Sequence, residues 1–264
     1  MNCKRIFLIY NRNEVEINNF SINKYIDCFK NYNLECILLD ETNYNTQTEI
    51  PICVINRTNN YKIAIFFEGL GIRVFNNSKV SNICNNKLET YKYLGNGIRH
   101  LNIYDNDSNC PFPYIVKDPS SKGGKDVFLI NDEVDVTRYL KPNMFKQQFL
   151  PNACDIRTYV IGNEIILSIK RIPNDSSFRA NYKINHNAIV YSLTDDERNM
   201  VECIIEKFNF DYVGVDILKS SSGEFFFNEI EDSVGARAVY DLTNIDIIGK
   251  YVDYIFKEIY KARM

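Results

Sequence analysis

Two strongly apolar runs near the C-terminus carry acids at positions where a core strand has no ordinary use for them. Gly214-Val215-Asp216-Ile217-Leu218 and Phe225-Phe226-Phe227-Asn228-Glu229-Ile230-Glu231 flank Ser220-Ser221-Ser222-Gly223. This reads as an antiparallel hairpin with core strands over residues 213–218 and 225–230. Side chains two apart on a strand share a face, so Glu229 and Glu231 project together, and the hairpin can bring Asp216 beside them. Clustered hard carboxylates suit Mg²⁺, which takes one or two of them and completes its octahedron with water and phosphate oxygens. The plainer alternative, a solvated sheet edge, fits poorly with acids set among so many apolar residues.

A second feature is the small-residue loop Lys117-Asp118-Pro119-Ser120-Ser121-Lys122-Gly123-Gly124-Lys125. Adjacent glycines expose backbone N–H groups that can line phosphate oxygens, and the lysines add positive charge. The loop matches neither a Walker A sequence nor GxGxxG, and alone it reads more often as just a turn. Taken one by one, Lys87, Arg157, Lys170, Arg171 and Arg179 read as surface charges.

The remaining pattern is that of an α/β (α+β) protein. Over the first eighty or so residues, β-like runs (4–10, 34–39, 52–55, 74–75) alternate with helical spacing from Ser21, which suggests a small parallel unit. One helix is expected over 78–94, capped by Ser78 and stopped by Gly95. Strands follow at 113–117 and 127–130, a helix near 132–140, a strand at 144–149, and a hairpin, 156–161 with 164–169, about Gly162-Asn163. A long polar loop spans 173–187. Thr194 and Glu197 form a capping box ahead of an amphipathic helix, and another helix closes the chain near 245–260.

Apolar runs such as Ile6-Phe7-Leu8-Ile9-Tyr10 and Ile63-Ala64-Ile65-Phe66-Phe67 are strand-sized, far short of the roughly 20 residues that span a bilayer. No secretory signal pattern is visible. The 31 basic and 34 acidic residues leave a formal charge of −3, which argues against a field that gathers nucleic acid or anionic membrane. Eight dispersed cysteines without a CxxC pair fit free thiols in a reducing cytoplasm. His100 and His186 have no visible catalytic partner.

The order of these pieces resembles one family. Arg73-Val74-Phe75-Asn76-Asn77 through Asn86-Lys87, then Tyr114-Ile115-Val116-Lys117, Gln147-Gln148-Phe149-Leu150, Asp155-Ile156-Arg157, Phe178-Arg179-Ala180-Asn181, Gly214-Val215-Asp216-Ile217-Leu218 and Asn228-Glu229-Ile230-Glu231 are similar to the ATP-grasp enzymes. The likeness is strongest to the RimK type, ligases that join glutamate to a ribosomal protein tail, and to the lysine-biosynthesis ligases acting on a carrier protein. The resemblance implies an ATP-grasp fold in three parts: an N-terminal parallel α/β domain (1–77), a central lid subdomain (78–149) and a C-terminal antiparallel-sheet subdomain (150–264).

It also implies roles. Lys87 and Lys117 would reach the nucleotide phosphates, with Ser120, Lys122, Gly123 and Gly124 in a lid over them. Gln148, Phe149 and Leu150 would meet the adenine, and Asp155 would face ribose or substrate. Arg179 and Asn181 would contact the transferred phosphate, while Arg171 and Arg237 would bind substrate. Asp216, Glu229 and Glu231 would hold two Mg²⁺ ions, Mn²⁺ being an alternative. Glu231 stands where this group usually has Asn, and Asp232-Ser233-Val234-Gly235-Ala236-Arg237 replaces its usual small-residue and proline segment beside the acceptor. The implied activity is an ATP-dependent carboxylate–amine ligase with an acyl-phosphate intermediate and an amino-acid, peptide or other small-molecule substrate. The alternatives are a small-molecule kinase on the same scaffold and a nucleotide-binding regulatory module without catalysis.

Overall fold

The computed structural model describes residues 4–105, 108–124, 126–173 and 187–261. Among them, β1 (Lys4–Tyr10), β2 (Leu34–Asp40), β3 (Cys53–Asn56) and β4 (Arg73–Phe75) form a parallel sheet in the order β2-β1-β3-β4. A central parallel strand is covered on both faces and so reads as an unbroken apolar run. Accordingly Ile6, Leu8 and Tyr10 pack toward α1 (Asn19–Lys30) and the C-terminal α8 (Ile247–Lys261), while Phe7 and Ile9 pack against Ile63, Ala64 and Phe67.

Those last three belong to a helix, α2 (Tyr61–Gly69), and not to a strand-sized run. Asn60 opens it by accepting a bond from the Lys62 N–H, and Ile63, Ala64 and Phe67 then fall on one helical face while Ile65 stays exposed. The single helix expected over 78–94 is two, α3 (Ser78–Cys84) and α4 (Lys87–Leu94). The capping side chains are Asn77 and Asn86 rather than Ser78. Asn86 ends one pattern and restarts another, which sets Lys87 at the first position of α4.

A second sheet, antiparallel, runs β5-β8-β6-β7, with β5 (Ile103–Tyr104), β6 (Tyr114–Lys117), β7 (Val127–Ile130) and β8 (Phe145–Gln148). The helix α5 (Glu133–Tyr139), capped by Asp132, packs beside β7. A third sheet, also antiparallel, runs β11-β10-β9-β12-β13: β9 (Cys154–Ile161), β10 (Glu164–Arg171), β11 (Ala188–Tyr191), β12 (Tyr212–Lys219) and β13 (Phe225–Glu231). The capping box of Thr194 and Glu197 opens α6 (Asp195–Lys207), as expected. Its Val201, Ile204 and Ile205 cover Ile156, Val215 and Ile217 on one face of this sheet, each buried side chain contributing about 1.5–3 kcal/mol. The strand β11 and a short helix, α7 (Arg237–Leu242), go beyond the sequence reading.

The first and third sheets share one core, in which Tyr25 and Phe29 of α1 meet Tyr212 and the α8 residues Tyr251 and Ile255. A buried polar clasp reinforces the junction. Asn76, just past β4, accepts from the Asp211 and Tyr212 N–H groups at 2.7 and 3.1 Å and donates to Asp232 at 2.6 Å. Asp232 also accepts from Asn85 at 3.1 Å, so the residue following the acid strand is fixed to the N-terminal half.

Candidate active site

The third sheet turns its other face to a cleft of about 1220 Å³, and the register of four strands decides what that face presents. Arg157 lies opposite Asp216, which lies opposite Glu229; in the neighbouring row Tyr159, Gly214 and Glu231 are opposed, and Arg171 pairs with Asp155. Residues opposed across strands share a face, so three expected metal ligands, Asp155 and two arginines are carried on one face of the sheet. Gly214 is where only glycine fits: a Cβ there would stand 2.7 Å from Val234 Cγ2 and 3.3 Å from Arg157 Cδ.

Asp216 is 1 % exposed and fully engaged. Arg157 donates Nε and Nη2 to its two oxygens at 2.8 and 2.7 Å, and Arg171 Nη2 adds a bond at 2.8 Å. Arg157 Nη1 also meets Glu231, and Arg171 Nε reaches Asp155 at 2.7 Å. Burial alone would raise the Asp216 carboxyl, but Arg157 and Arg171 beside it hold it well below the usual range. Burial pushes the Asp155 carboxyl upward against the pull of Arg171, and the Asp216 charge beside it adds to the rise. Arg157 is therefore the hub of this face and no surface charge, and Arg171, which also lines the cleft, binds Asp155 and Asp216 through Nε and Nη2.

The opposite wall is cationic. Lys87 Nζ donates to the Ser121 carbonyl at 2.6 Å and pairs with Glu229 at 3.1 Å. Lys117, at the end of β6 and 6 % exposed, donates to Asn228 Oδ1 at 3.0 Å. Burial lowers its ammonium to about 8. In the loop beyond, Gly123 and Gly124 adopt φ of 67° and 69°, the left-handed conformation that glycine enters without strain. Among the described residues the buried Lys122 Nζ has no hydrogen-bond partner, and burial lowers its affinity for a proton. Ser121, Lys122, Gly123 and Gly124 line the cleft, whereas Ser120 is exposed and bonds back to Asp118.

Gln148, Phe149 and Leu150 lie at the cleft margin, where the Gln148 N–H bonds the Asn102 carbonyl at 2.9 Å. Arg237 opens α7, lines the cleft and reaches the Ile17 carbonyl at 3.5 Å. Arg179 and Asn181 lie outside the described residues. Sequence reasoning missed Asn228, the partner of Lys117, and Arg57, whose guanidinium enters the same cleft from the end of β3. The alternation of Asp155 and Arg157 within an apolar strand was the available signal for the sheet network; nothing in the sequence singles out Arg57.

Among the described residues no three acids, histidines or cysteines converge as a ready metal cage, because Arg157 and Lys87 stand between the carboxylates. The donors nevertheless fit Mg²⁺ in kind: Glu229 and Glu231 are hard oxygen ligands on the cleft face, with side chains 29 % and 22 % exposed. A cleft with an acidic sheet floor and a lysine and glycine wall can bind a polyphosphate with its cations on one side and a metal on the other. No helix among the described residues is long and apolar enough to cross a membrane. The described cysteines, Cys28, Cys36, Cys53, Cys84, Cys110, Cys154 and Cys203, are free thiols.

Comparison with known proteins identifies relatives of this chain. A Mycoplasma genitalium protein, Uncharacterized protein MG011, is 28% identical over 249 residues, 89% of this chain and 86% of that one. The Probable alpha-L-glutamate ligase 2 of Hahella chejuensis is 32% identical over 155 residues, 56% of this chain; the match spans about half, 51%, of the relative's length. In fold, the chain is similar to the ATP-grasp ligase PsnB complexed with a phosphomimetic variant of minimal precursor, Mg and ADP, with a TM-score of 0.71 at 14% identity, covering 97% of this chain and 99% of that one. The sequence matches the RimK-like ATP-grasp domain over residues 97–255, most of the chain and the whole of the acid sheet, and the protein belongs to that family.

Proposed function

We propose that this protein is an ATP- and Mg²⁺-dependent carboxylate–amine ligase that works through an acyl phosphate on an amino-acid or peptide substrate, in a reducing cytoplasm. One observation carries the reading: the buried Lys117 and the lysine-flanked Gly123-Gly124 loop face, across one cleft, the sheet that bears Asp216, Glu229 and Glu231. A phosphate tail carries about four negative charges and needs donors on several sides. Glutamate is the first amino acid to consider, because relatives such as the Hahella protein are named alpha-L-glutamate ligases.

Lys87 and Lys117 would neutralise the phosphates, and the Gly123 and Gly124 N–H groups would close on them. The segment 148–150 would take the adenine edge. Asp216, Glu229 and Glu231 would hold Mg²⁺, which when bound supplies further charge neutralisation between the phosphates. A substrate carboxylate oxygen then attacks the γ-phosphorus and ADP leaves; an amine attacks the acyl carbon and phosphate leaves. Because an acyl phosphate hydrolyses readily, the loop over Lys122 has reason to exclude water. Incubation with ATP, Mg²⁺, L-glutamate and hydroxylamine is the test. A glutamyl hydroxamate formed together with ADP supports the reading, and ADP formation that no amino acid or peptide stimulates contradicts it.

A further inference from the structure

Three arginines around the acid sheet have carboxylate partners: Arg157 with Asp216 and Glu231, Arg171 with Asp155 and Asp216, and Arg73 with Asp211. Arg57 differs. It is 8 % exposed, it lies near Tyr10, Tyr25, Tyr212 and Tyr251 and bonds the Tyr10 hydroxyl, and among the described residues no carboxylate pairs with it. Its Nη2 donates to the Val234 carbonyl at 2.6 Å, and its guanidinium lies 5.5 Å from the centre of the Tyr212 ring. Among the described residues the buried Arg57 Nε has no hydrogen-bond partner, nor has the buried Tyr212 hydroxyl. Both residues line the cleft.

Resting on the ligase reading above, we propose that Arg57 and Tyr212 anchor a second carboxylate of the substrate, the one that is held and not activated. A buried guanidinium without an acid and a buried hydroxyl without a partner both carry a desolvation cost that a bound carboxylate removes. A carboxylate has two oxygens able to accept from both donors at once, and the guanidinium fork suits it better than a lysine would. Position supports the assignment. Arg57 belongs to the first sheet, whereas the phosphate-facing Lys87 and Lys117 come from α4 and β6. Val234, which Arg57 holds, follows the acid strand β13. A diacid such as L-glutamate could therefore present one carboxylate at the phosphates while the other is fixed at the first sheet, and a monoacid could not fill both places.

The test titrates L-glutamate into the full-length protein saturated with Mg²⁺ and a non-hydrolysable ATP analogue, and measures affinity for the analogue separately. For Arg57→Lys and Tyr212→Phe the proposal expects L-glutamate binding weakened by about tenfold, with analogue affinity and circular dichroism unchanged. Tyr212→Phe removes a hydroxyl that bonds nothing among the described residues, so it decides the matter even if Arg57→Lys fails to fold. Variants that bind L-glutamate as tightly as wild type overturn the proposal. In a parallel assay with ATP in place of the analogue, wild type that ignores L-glutamate yet releases ADP with L-alanine overturns it too, and leaves the ligase reading standing. Wild type that releases ADP with no amino acid or peptide at all brings down the ligase reading, and the anchor with it.

Discussion

Arg157 grips Asp216 with both arms of its fork, Nε at 2.8 Å and Nη2 at 2.7 Å, across directly opposed positions of β9 and β12. The same guanidinium also meets Glu231, so one arginine neutralises two of the three acids that would hold the metal. Ion pairs of this burial are costly to break on one side, because the surviving charge is left uncompensated.

Arg157→Met should accordingly lower stability by about 3–5 kcal/mol in metal-free buffer. Millimolar Mg²⁺ should restore part of the loss in the variant while shifting wild type less, since the cation can take over the role of the guanidinium. Urea unfolding with and without Mg²⁺ measures both effects. Equal stability of variant and wild type would show that the pair does not hold this face together.

Glu229→Gln keeps the shape of the side chain and removes the charge that faces Lys87 at 3.1 Å. ADP formation should fall on the order of 100-fold while the melting temperature stays near that of wild type, because the group is partly open to the cleft. Near-normal Mg²⁺-dependent activity in this variant would remove Glu229 from the metal assignment.

Gly214→Ala is a steric test of the same floor. The added methyl would stand 2.7 Å from Val234 Cγ2, and Val234 is fully buried, so it cannot swing aside. Overpacking of this kind costs about 1–3 kcal/mol. ADP formation should fall as well, since the Arg157 stem on the other side must shift. Unchanged stability and activity would mean that this floor yields more readily than its packing implies.

Asp211 offers a pH signature away from the cleft. Burial raises its carboxyl to about 6, although Arg73 and Tyr254 both bond it. The fold therefore favours the protonated form, whose contribution is fully present below the usual carboxylate range and is lost as pH rises through about 6. Asp216 works in the opposite sense, its contribution fading as pH falls, so the comparison of variant with wild type isolates Asp211. Melting temperatures of Asp211→Asn and wild type should change relative to each other between pH 4 and pH 7, with wild type losing more on the way up. Parallel curves would contradict the shift.

The strands of the acid hairpin and the Thr194–Glu197 capping box were legible in the sequence, because each rests on local rules of alternation or capping. The break between α3 and α4 was not. Val80, Ile83, Cys84, Leu88 and Tyr91 continue a helical rhythm across Asn85-Asn86, and only the second asparagine cap interrupts it. Arg157 looked like a lone surface charge because its partner Asp216 lies 59 residues away in the chain and is reached only through strand register. Arg57 was invisible for a similar reason: its environment is assembled from the first sheet, Tyr212 and the Val234 carbonyl, three segments with no local pattern in common.

The measurement that bears most directly on the central claim is the fate of the substrate's oxygen. L-glutamate labelled with ¹⁸O in its carboxylates is incubated with ATP, Mg²⁺ and an amine pool, and the mass of the released phosphate is read. Attack of a carboxylate on the γ-phosphorus followed by aminolysis leaves one labelled oxygen in each phosphate, and that is the predicted result. Phosphate that carries only unlabelled oxygen, or ADP formed with a phosphorylated hydroxyl and no free phosphate, would contradict the account.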